Sequence, residues 1–199
     1  MRRVLAGLAA LTAGLVLLSG CDGAVPSPGP SKVDVDTPAL REQKAAAGIE
    51  DCVPGSGTSD LPALTLPCLG GGPDVDLSTL KGPMLINLWY SGCGPCRREM
   101  PVLQQFHDTY ADQVPIVGID IETYPDYAIS FADEVGATYP QLADPGGTIF
   151  DDAGLRLAQA FPQTIYLAED GSVAAIEAKE IKSLDALVRS VQTNLGVTL

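Results

Sequence analysis

The sequence has few basic residues and only one histidine. Its 199 residues include 12 Lys and Arg against 25 Asp and Glu, a formal net charge of −13. Phosphate backbones repel such an acidic chain, so nucleic-acid binding is disfavoured. With His107 alone and five cysteines, the chain has no second pair of ligands at the spacing of a zinc site. We therefore predict no metal site and no cofactor.

Long apolar runs and internal repeats are also absent. The longest apolar run, residues 4–18, follows a basic start at Arg2 and Arg3. Spanning a bilayer takes about 20 apolar residues, so this run is typical of an export signal and not of a membrane helix. The triple glycine at residues 70–72 is not followed by Lys-Ser or Lys-Thr, so it predicts a loop and not a phosphate-binding turn.

Two cysteines, Cys93 and Cys96, follow a short apolar segment. Residues 85–101 read Leu-Ile-Asn-Leu-Trp-Tyr-Ser-Gly-Cys-Gly-Pro-Cys-Arg-Arg-Glu-Met-Pro, and the apolar part predicts a strand buried on both faces. Pro95 indicates that a helix begins here, because proline is tolerated in the first turn. Unpaired N–H groups at the helix start would stabilise a Cys93 thiolate. Cys96 returns to the same side of the helix and can form a disulfide with Cys93.

Residues 89–96 resemble the active-site stretch of thioredoxin, with a tryptophan ahead of Cys-Gly-Pro-Cys and a proline, Pro101, five residues after the second cysteine. The continuation Arg-Arg-Glu-Met-Pro, with the membrane anchor described below, resembles the TlpA/ResA group of thiol-disulfide oxidoreductases. The resemblance covers about residues 60–199. It implies an α/β thioredoxin-like fold with a central mixed sheet flanked by helices, and it matches residues 120–154 to a strand-helix insertion.

The remaining pattern agrees with that architecture. Leu155, Leu157 and Ala158 would face inward on a helix at residues 150–160, and Ser183 would begin the last helix. Strands are predicted at residues 64–66, 75–77, 84–90, 114–121, 139–143, 164–168 and 173–178, and helices at residues 39–47, 93–111, 125–135, 150–160 and 184–195.

The leader ends in Leu-Ser-Gly-Cys, which resembles the bacterial lipobox, so Cys21 is predicted to be lipidated. The alternative is a chance cysteine after a leader. Acyl chains, at about 0.8 kcal/mol per buried methylene, would hold the protein on the extracytoplasmic face of the cell membrane. We therefore predict that the chain divides into four segments: a lipoprotein signal peptide (1–20), a lipid-anchored Pro/Gly-rich tether (21–38), an N-terminal extension with a short helix (39–59) and the thioredoxin-like domain (60–199).

Export bears on the other cysteines, because disulfides persist outside the cytoplasm. If Cys21 is lipidated and Cys93 pairs with Cys96, then Cys52 is left with Cys68. We predict a structural bridge there, closing an irregular loop and contributing roughly 3 kcal/mol. A second redox-active pair is the competing interpretation, which is disfavoured because neither cysteine lies in a strand-to-helix turn.

The resemblance also assigns residues around the thiols. Pro162 stands where thioredoxin-like proteins place a cis proline beside the disulfide, leaving the backbone of Phe161 free to pair with an extended substrate. We assign Trp89, Phe161 and Pro162 to substrate binding, with Trp89 packed beside the site. Phe161 departs from thioredoxin and is expected to affect the choice of partner.

Glu99 occupies the position of a glutamate that ResA-like proteins carry near the active site. A buried Glu99 would be costly to ionise and could carry protons to and from Cys96, so we count it among the catalytic residues. A solvated carboxylate on the helix surface is the alternative. Asn87 stands where thioredoxin has a buried aspartate, which makes Glu99 the better candidate for proton transfer.

The sequence therefore predicts a thiol-disulfide oxidoreductase in which Cys93 attacks a partner disulfide and Cys96 resolves the mixed disulfide. The resemblance implies a monomeric reductase of exported proteins with disulfides, such as apocytochrome c, supplied with electrons by a membrane thiol donor. Alternatives are an oxidase of exported proteins and a lipoprotein that binds Cu(I) on the two thiols. A peroxiredoxin-like peroxidase is disfavoured, because Ile86 and Tyr90 replace the Pro and Thr of its Pro-x-x-x-Thr-x-x-Cys pattern.

Overall fold

The computed structural model describes residues 33–199. The predicted signal peptide, the predicted lipidation site at Cys21 and most of the predicted tether lie outside these residues. In the part of the chain that is described, no helix has the length and apolar character needed to cross a membrane.

The described chain alternates strands with helices, and most bounds lie within two residues of those predicted. The helices predicted at residues 125–135 and 184–195 are confirmed at both ends. In chain order the elements are α1 (Pro38–Ala46), β1 (Thr65–Leu66), β2 (Val75–Asp76), β3 (Met84–Trp89), α2 (Gly94–Tyr110), β4 (Ile116–Asp120), α3 (Pro125–Val135), β5 (Gln141–Ala143), β6 (Gln163–Leu167), β7 (Val173–Glu177) and α4 (Leu184–Leu195).

A five-stranded mixed sheet in the order β5-β4-β3-β6-β7 forms the centre of the domain. β4 pairs parallel with both β3 and β5, whereas β6 pairs antiparallel with β3 and β7. The central strand β3 is buried from Leu85 to Trp89, as its apolar run predicts. The carboxyl end of β3 leads directly into α2, so the two cysteines lie at the edge where parallel strands end.

The two faces of the sheet are covered differently. Alternate β3 residues divide between two apolar clusters, Leu85 and Trp89 in one and Ile86 and Leu88 in the other. The first cluster contains buried apolar side chains from each of α1, α2, α3 and α4. The second contains the hairpin β1–β2 and the loop residues around Leu155.

The helix predicted at residues 150–160 is wrong. The structure has instead a short 3-10 helix, Thr148–Asp151. This helix ends at Asp151 because the Asp152 carboxylate accepts hydrogen bonds from the N–H groups of Gly154 and Leu155, which competes with helical bonding. The Gln163 side chain then holds both the N–H and the carbonyl of Ala158. Leu155 is buried as predicted, but Ala158 is exposed.

Residues 33–59 belong to the same compact unit as residues 60–199. Val35 is buried, and its carbonyl accepts a hydrogen bond from the Gly70 N–H at 2.9 Å. Gln43 on α1 donates to the Asp126 carbonyl at 3.0 Å and to the Ser130 hydroxyl at 2.8 Å, both on α3. These contacts hold α1 and the residues just before it against the rest of the unit.

A disulfide joins Cys52 to Cys68, which confirms the predicted pairing. Both residues are buried, and both belong to the apolar cluster that contains the hairpin. The bond ties the irregular segment after α1 to the loop after β1.

Candidate active site

The Cys93–Cys96 disulfide lies at the start of α2, as predicted. Cys93 is the N-cap residue, and its Sγ accepts a hydrogen bond from the Cys96 N–H at 3.1 Å. One of the N–H groups that a helix start leaves without a partner therefore points at the Cys93 sulfur, an arrangement that favours a thiolate there. Both cysteines are buried in this disulfide, with Cys93 3% exposed and Cys96 0% exposed.

Phe161 and Pro162 lie beside this turn. The peptide bond between them is cis, as predicted. The antiparallel register pairs Leu88 with Gln163, so one step further along the strands Pro162 lies opposite Trp89. The partly buried Phe161 ring packs edge-on against Tyr90, with 5.3 Å between ring centroids.

The Phe161 backbone is available to a partner strand. In the described part of the chain, neither the N–H nor the carbonyl of Phe161 forms a backbone–backbone hydrogen bond outside the helices and strands. A cleft next to this residue is lined in part by Gly146, Gly147, Phe150 and Phe161. An extended polypeptide could pair with this backbone in the way that strands add to a sheet edge.

Trp89 does not reach the surface, which corrects its assignment to substrate binding. The residue is 0% exposed, and its ring stacks on Phe131 with 5.3 Å between centroids. Its indole N–H donates to Gln141 Oε1 at 2.9 Å. Trp89 therefore supports the site from within the core, as the packing part of the prediction states.

Glu99, one turn after Cys96 on α2, is fully buried, so the alternative of a solvated carboxylate is wrong. Its Oε1 accepts a hydrogen bond from Asn87 Nδ2 at 2.8 Å, and its Oε2 accepts one from the Ile181 N–H at 2.6 Å. Burial raises the pKa of Glu99 from its usual 4.5 to about 7, although both hydrogen bonds act in the opposite direction. The structure thus places near the thiols a carboxyl group that can gain or lose a proton around neutral pH.

The two arginines after Cys96 are held by acidic partners. Arg97 pairs with Glu134 at 2.6 Å, and its guanidinium lies 4.6 Å from the Phe131 ring centroid. Arg98 pairs with Glu180 at 2.6 Å. Exposed and already paired, these cations contribute little to the charge around the thiols.

Asp120, at the carboxyl end of β4, is a buried acid that the sequence reasoning missed. Its Oδ1 accepts the Glu122 N–H at 2.9 Å, whereas its buried Oδ2 has no hydrogen-bond partner among the described residues. Burial raises its pKa well above the usual value for an aspartate. The sequence did contain a signal for this residue, because Asp120 is an acidic residue inside the apolar strand predicted at residues 114–121. That strand lies next to β3, which leads into the cysteine pair.

Comparison with known proteins agrees with this geometry. The Redoxin family model matches residues 56–189. The chain is 30% identical over 108 residues to the thiol-disulfide oxidoreductase ResA of Halalkalibacterium halodurans, covering 53% of this chain and 59% of that protein. It is 36% identical over 117 residues to the thiol:disulfide interchange protein HelX of Rhodobacter capsulatus, covering 57% of this chain and 63% of that protein. The chain therefore spans less than two thirds of the length of either relative.

A solved structure has the same fold. The crystal structure of a DsbF homologue from Corynebacterium diphtheriae matches with a TM-score of 0.57 and 28% identity, covering 65% of this chain and 83% of that chain. The sheet order, the cysteine pair at the start of α2 and the family match lead to one conclusion. The chain belongs to the Redoxin family and has a thioredoxin-like fold.

Proposed function

We propose that the protein is a thiol-disulfide oxidoreductase that uses Cys93 and Cys96 to reduce disulfides in exported proteins. The observation that carries the proposal is the Cys93–Cys96 disulfide at a helix start, beside the cis Phe161–Pro162 bond. A helix start stabilises a thiolate, and an open backbone next to it suits a polypeptide substrate. The similarity to ResA and HelX supports the same chemistry.

The reaction takes two steps. The Cys93 thiolate attacks one sulfur of the substrate disulfide, forming a mixed disulfide and releasing the other substrate sulfur as a thiolate. Cys96 then loses its proton and attacks Cys93 Sγ, which releases the second substrate thiolate and leaves the Cys93–Cys96 disulfide. Two electrons pass from the protein to the substrate, and the two substrate thiolates take up protons.

Glu99 serves the second step as a proton acceptor for Cys96. The two residues are three apart on α2, and residues at this spacing are neighbours on one helix face. Because the pKa of Glu99 is about 7, its carboxyl can accept a proton near neutral pH and return it in the next cycle. Asn87 and the Ile181 N–H fix the position of the carboxyl.

The Gly-Pro dipeptide between the cysteines favours the reducing direction of electron flow. Thioredoxin, a reductant with a potential of about −270 mV, has the same Gly-Pro dipeptide. We therefore assign this protein to the reductases rather than the oxidases. A membrane thiol donor would regenerate the dithiol after each cycle.

The cellular setting rests on the sequence. A leader that ends at Cys21 supports a lipid anchor on the extracytoplasmic face of the cell membrane. The resemblance to the TlpA/ResA group points to exported proteins with disulfides, apocytochrome c among them. We propose that the protein acts there as a monomer and does not bind nucleic acid.

The test is a stoichiometric transfer of electrons. The reduced full-length protein is mixed with a disulfide-containing polypeptide, and the thiols gained by the substrate are counted by alkylation and mass spectrometry. With the Cys52–Cys68 disulfide closed in both proteins, we expect two substrate thiols for each Cys93–Cys96 disulfide formed, and none from the Cys93→Ala/Cys96→Ala variant. Equal reduction by the two proteins would refute the proposal.

A further inference from the structure

A buried lysine contacts the second disulfide. Lys44 on α1 is 5% exposed, and its Nζ lies 3.4 Å from Cys68 Sγ. The same ammonium donates to the Gly71 carbonyl at 2.7 Å and to the Asp51 carboxylate at 2.8 Å. Lysine is seldom buried to this extent unless it is paired, and here one of its contacts is a disulfide sulfur.

The two sulfurs of this bond have opposite surroundings. Cys68 Sγ faces two donors, the Lys44 ammonium and the Cys52 N–H, which lies 3.2 Å away. Cys52 Sγ faces an acceptor, the Gln141 carbonyl oxygen, at 3.2 Å. Neither disulfide sulfur carries a proton, so the carbonyl has nothing to accept from Cys52 while the bond is closed.

These surroundings fit the reduced pair better than the closed one. After reduction, a Cys52 thiol could donate its S–H to the Gln141 carbonyl, and a Cys68 thiolate could accept from the ammonium and from the N–H. Stabilising the reduced form of a cysteine pair makes its disulfide easier to reduce. The sulfur of a closed disulfide is only a weak acceptor, so the ammonium stabilises a Cys68 thiolate more than it stabilises the disulfide.

We propose that Cys52–Cys68 is a second redox site, opened by a dithiol reductant that attacks Cys52, and that Lys44 is the positioning residue that stabilises Cys68 as the leaving thiolate. This site differs from the Cys93–Cys96 pair in its position in the fold. Its substrate class is a dithiol.

The exchange balances as follows. A thiolate of the reductant attacks Cys52 Sγ, a mixed disulfide forms, the Cys52–Cys68 bond breaks, and its electron pair leaves on Cys68 Sγ. The second thiol of the reductant loses its proton and attacks its own partner sulfur, which releases Cys52. That proton ends on Cys52, so the dithiol is oxidised to a disulfide and the cysteine pair gains two electrons.

The route of attack agrees with the roles of the two sulfurs. Cys52 lines a mainly apolar cleft together with Val53, Leu80, Met84 and Pro140, and Cys68 is not among the lining residues. Cys52 is 3% exposed and Cys68 is 1% exposed. A reductant that enters this cleft meets Cys52 first, which leaves Cys68 as the departing sulfur beside Lys44.

The first experiment measures the redox equilibrium of this pair alone. The full chain with Cys93→Ala and Cys96→Ala is equilibrated with mixtures of reduced and oxidised dithiothreitol, acid-quenched, alkylated and mapped by mass spectrometry. Lys44→Gln, which removes the charge, should require about a tenfold higher ratio of reduced to oxidised reagent for half-reduction, a change of about 30 mV in potential. Lys44→Arg, which keeps the charge, and the exposed control Lys182→Gln should stay within about twofold of the parent, a difference of under about 10 mV.

A second measurement leaves Lys44 in place, in case its replacement disturbs α1. In the reduced parent, the rate of alkylation of each cysteine is followed against pH by mass mapping. The alkylation rate of Cys68 should be half-maximal at a pH below the pKa of a free cysteine, about 8.5. The alkylation rate of Cys52 should be half-maximal at a pH above that value. An unchanged half-reduction ratio in a folded Lys44→Gln variant, or a lower midpoint for Cys52 than for Cys68, would overturn the proposal. Both readouts use a chain without Cys93 and Cys96, so either result leaves the proposed function untouched.

Discussion

The side-chain amide of Asn87 donates a hydrogen bond to the buried carboxyl of Glu99, with 2.8 Å between Nδ2 and Oε1. This bond links β3, which leads into the cysteine pair, to α2, which carries it. The Ile181 N–H holds the other carboxyl oxygen at 2.6 Å. Two donors favour the ionised carboxylate, yet burial outweighs them and raises the pKa of Glu99 to about 7. The site therefore contains a fixed group that changes charge near neutral pH.

Replacing Glu99 should remove one inflection from the pH profile of the reaction. In the parent protein, the resolving step should accelerate as the pH rises through about 7, because the ionised carboxylate can accept the Cys96 proton. Glu99→Gln should slow this step by roughly 100-fold at pH 8 and abolish the inflection. Stopped-flow decay of a preformed mixed disulfide measures the step directly. If the inflection near pH 7 survives in Glu99→Gln, it belongs to another group. The matched control is Glu169→Gln, because Glu169 is exposed.

The same carboxyl should also affect stability. Below pH 4.5 the carboxyl is protonated in both folded and unfolded chains, whereas between 4.5 and about 7 only the unfolded chain ionises, so stability falls as the pH rises. One pKa unit corresponds to about 1.4 kcal/mol, so the cost above pH 7 is about 3 kcal/mol. Glu99→Gln should therefore gain stability relative to the parent by about this amount between pH 4.5 and 8. Denaturant unfolding at several pH values measures the difference, and a constant difference across this range would contradict the assignment.

Much of the fold and of the site could be predicted because the signals are local. The apolar run before Cys-Gly-Pro-Cys predicts β3, and Pro95 with the cysteine spacing predicts the start of α2 at Cys93. The failure at residues 150–160 has a physical cause, since the bonds of Asp152 and Gln163 to nearby backbone outweigh the weak helical pattern. No pattern of spacing could reveal such competition.

Contacts between distant parts of the chain could not be predicted. The Ile181 N–H reaches Glu99 across 82 positions, and the Trp89 indole reaches Gln141 across 52. The buried Trp89 ring stacks on Phe131, which belongs to α3. Pairings of this kind depend on the assembled sheet, so the sequence alone could predict that Trp89 packs beside the site but could not name Phe131 and Gln141 as its partners.

Phe161 should affect protein substrates more than small ones. Its ring packs against Tyr90 and lies 5.6 Å from the Phe150 ring, and both Phe150 and Phe161 line the same cleft. Phe161→Ala should lower kcat/KM for a polypeptide disulfide by up to about tenfold, because an aromatic contact contributes about 0.5–1.5 kcal/mol. The rate with a small-molecule disulfide should change less than twofold, a difference under about 0.5 kcal/mol.

The control for this measurement is Tyr124→Ala, because Tyr124 is an aromatic side chain that is 61% exposed. It should leave both rates unchanged. Equal losses for the two substrates in Phe161→Ala would indicate damage to the thiols themselves and would contradict a role in polypeptide binding.

The anchor prediction concerns Cys21, which lies outside the described residues. Cys21→Ala should release the protein from the membrane fraction, because the thiol that carries the lipid is lost. Fractionation of cells and mass analysis of the native N-terminus measure the effect. Full membrane retention of the variant, together with an unmodified native N-terminus, would show that the leader does not end in a lipidated cysteine.

The central claim is the division of roles between the two active-site thiols. Cys93 caps α2 and accepts the Cys96 N–H, whereas Cys96 is completely buried one turn from Glu99. The most direct test compares Cys96→Ala with Cys93→Ala in the presence of exported proteins and counts mixed disulfides by mass spectrometry. The account predicts stable mixed disulfides through Cys93 in the first variant and almost none in the second. Mixed disulfides that form mainly through Cys96 would contradict it.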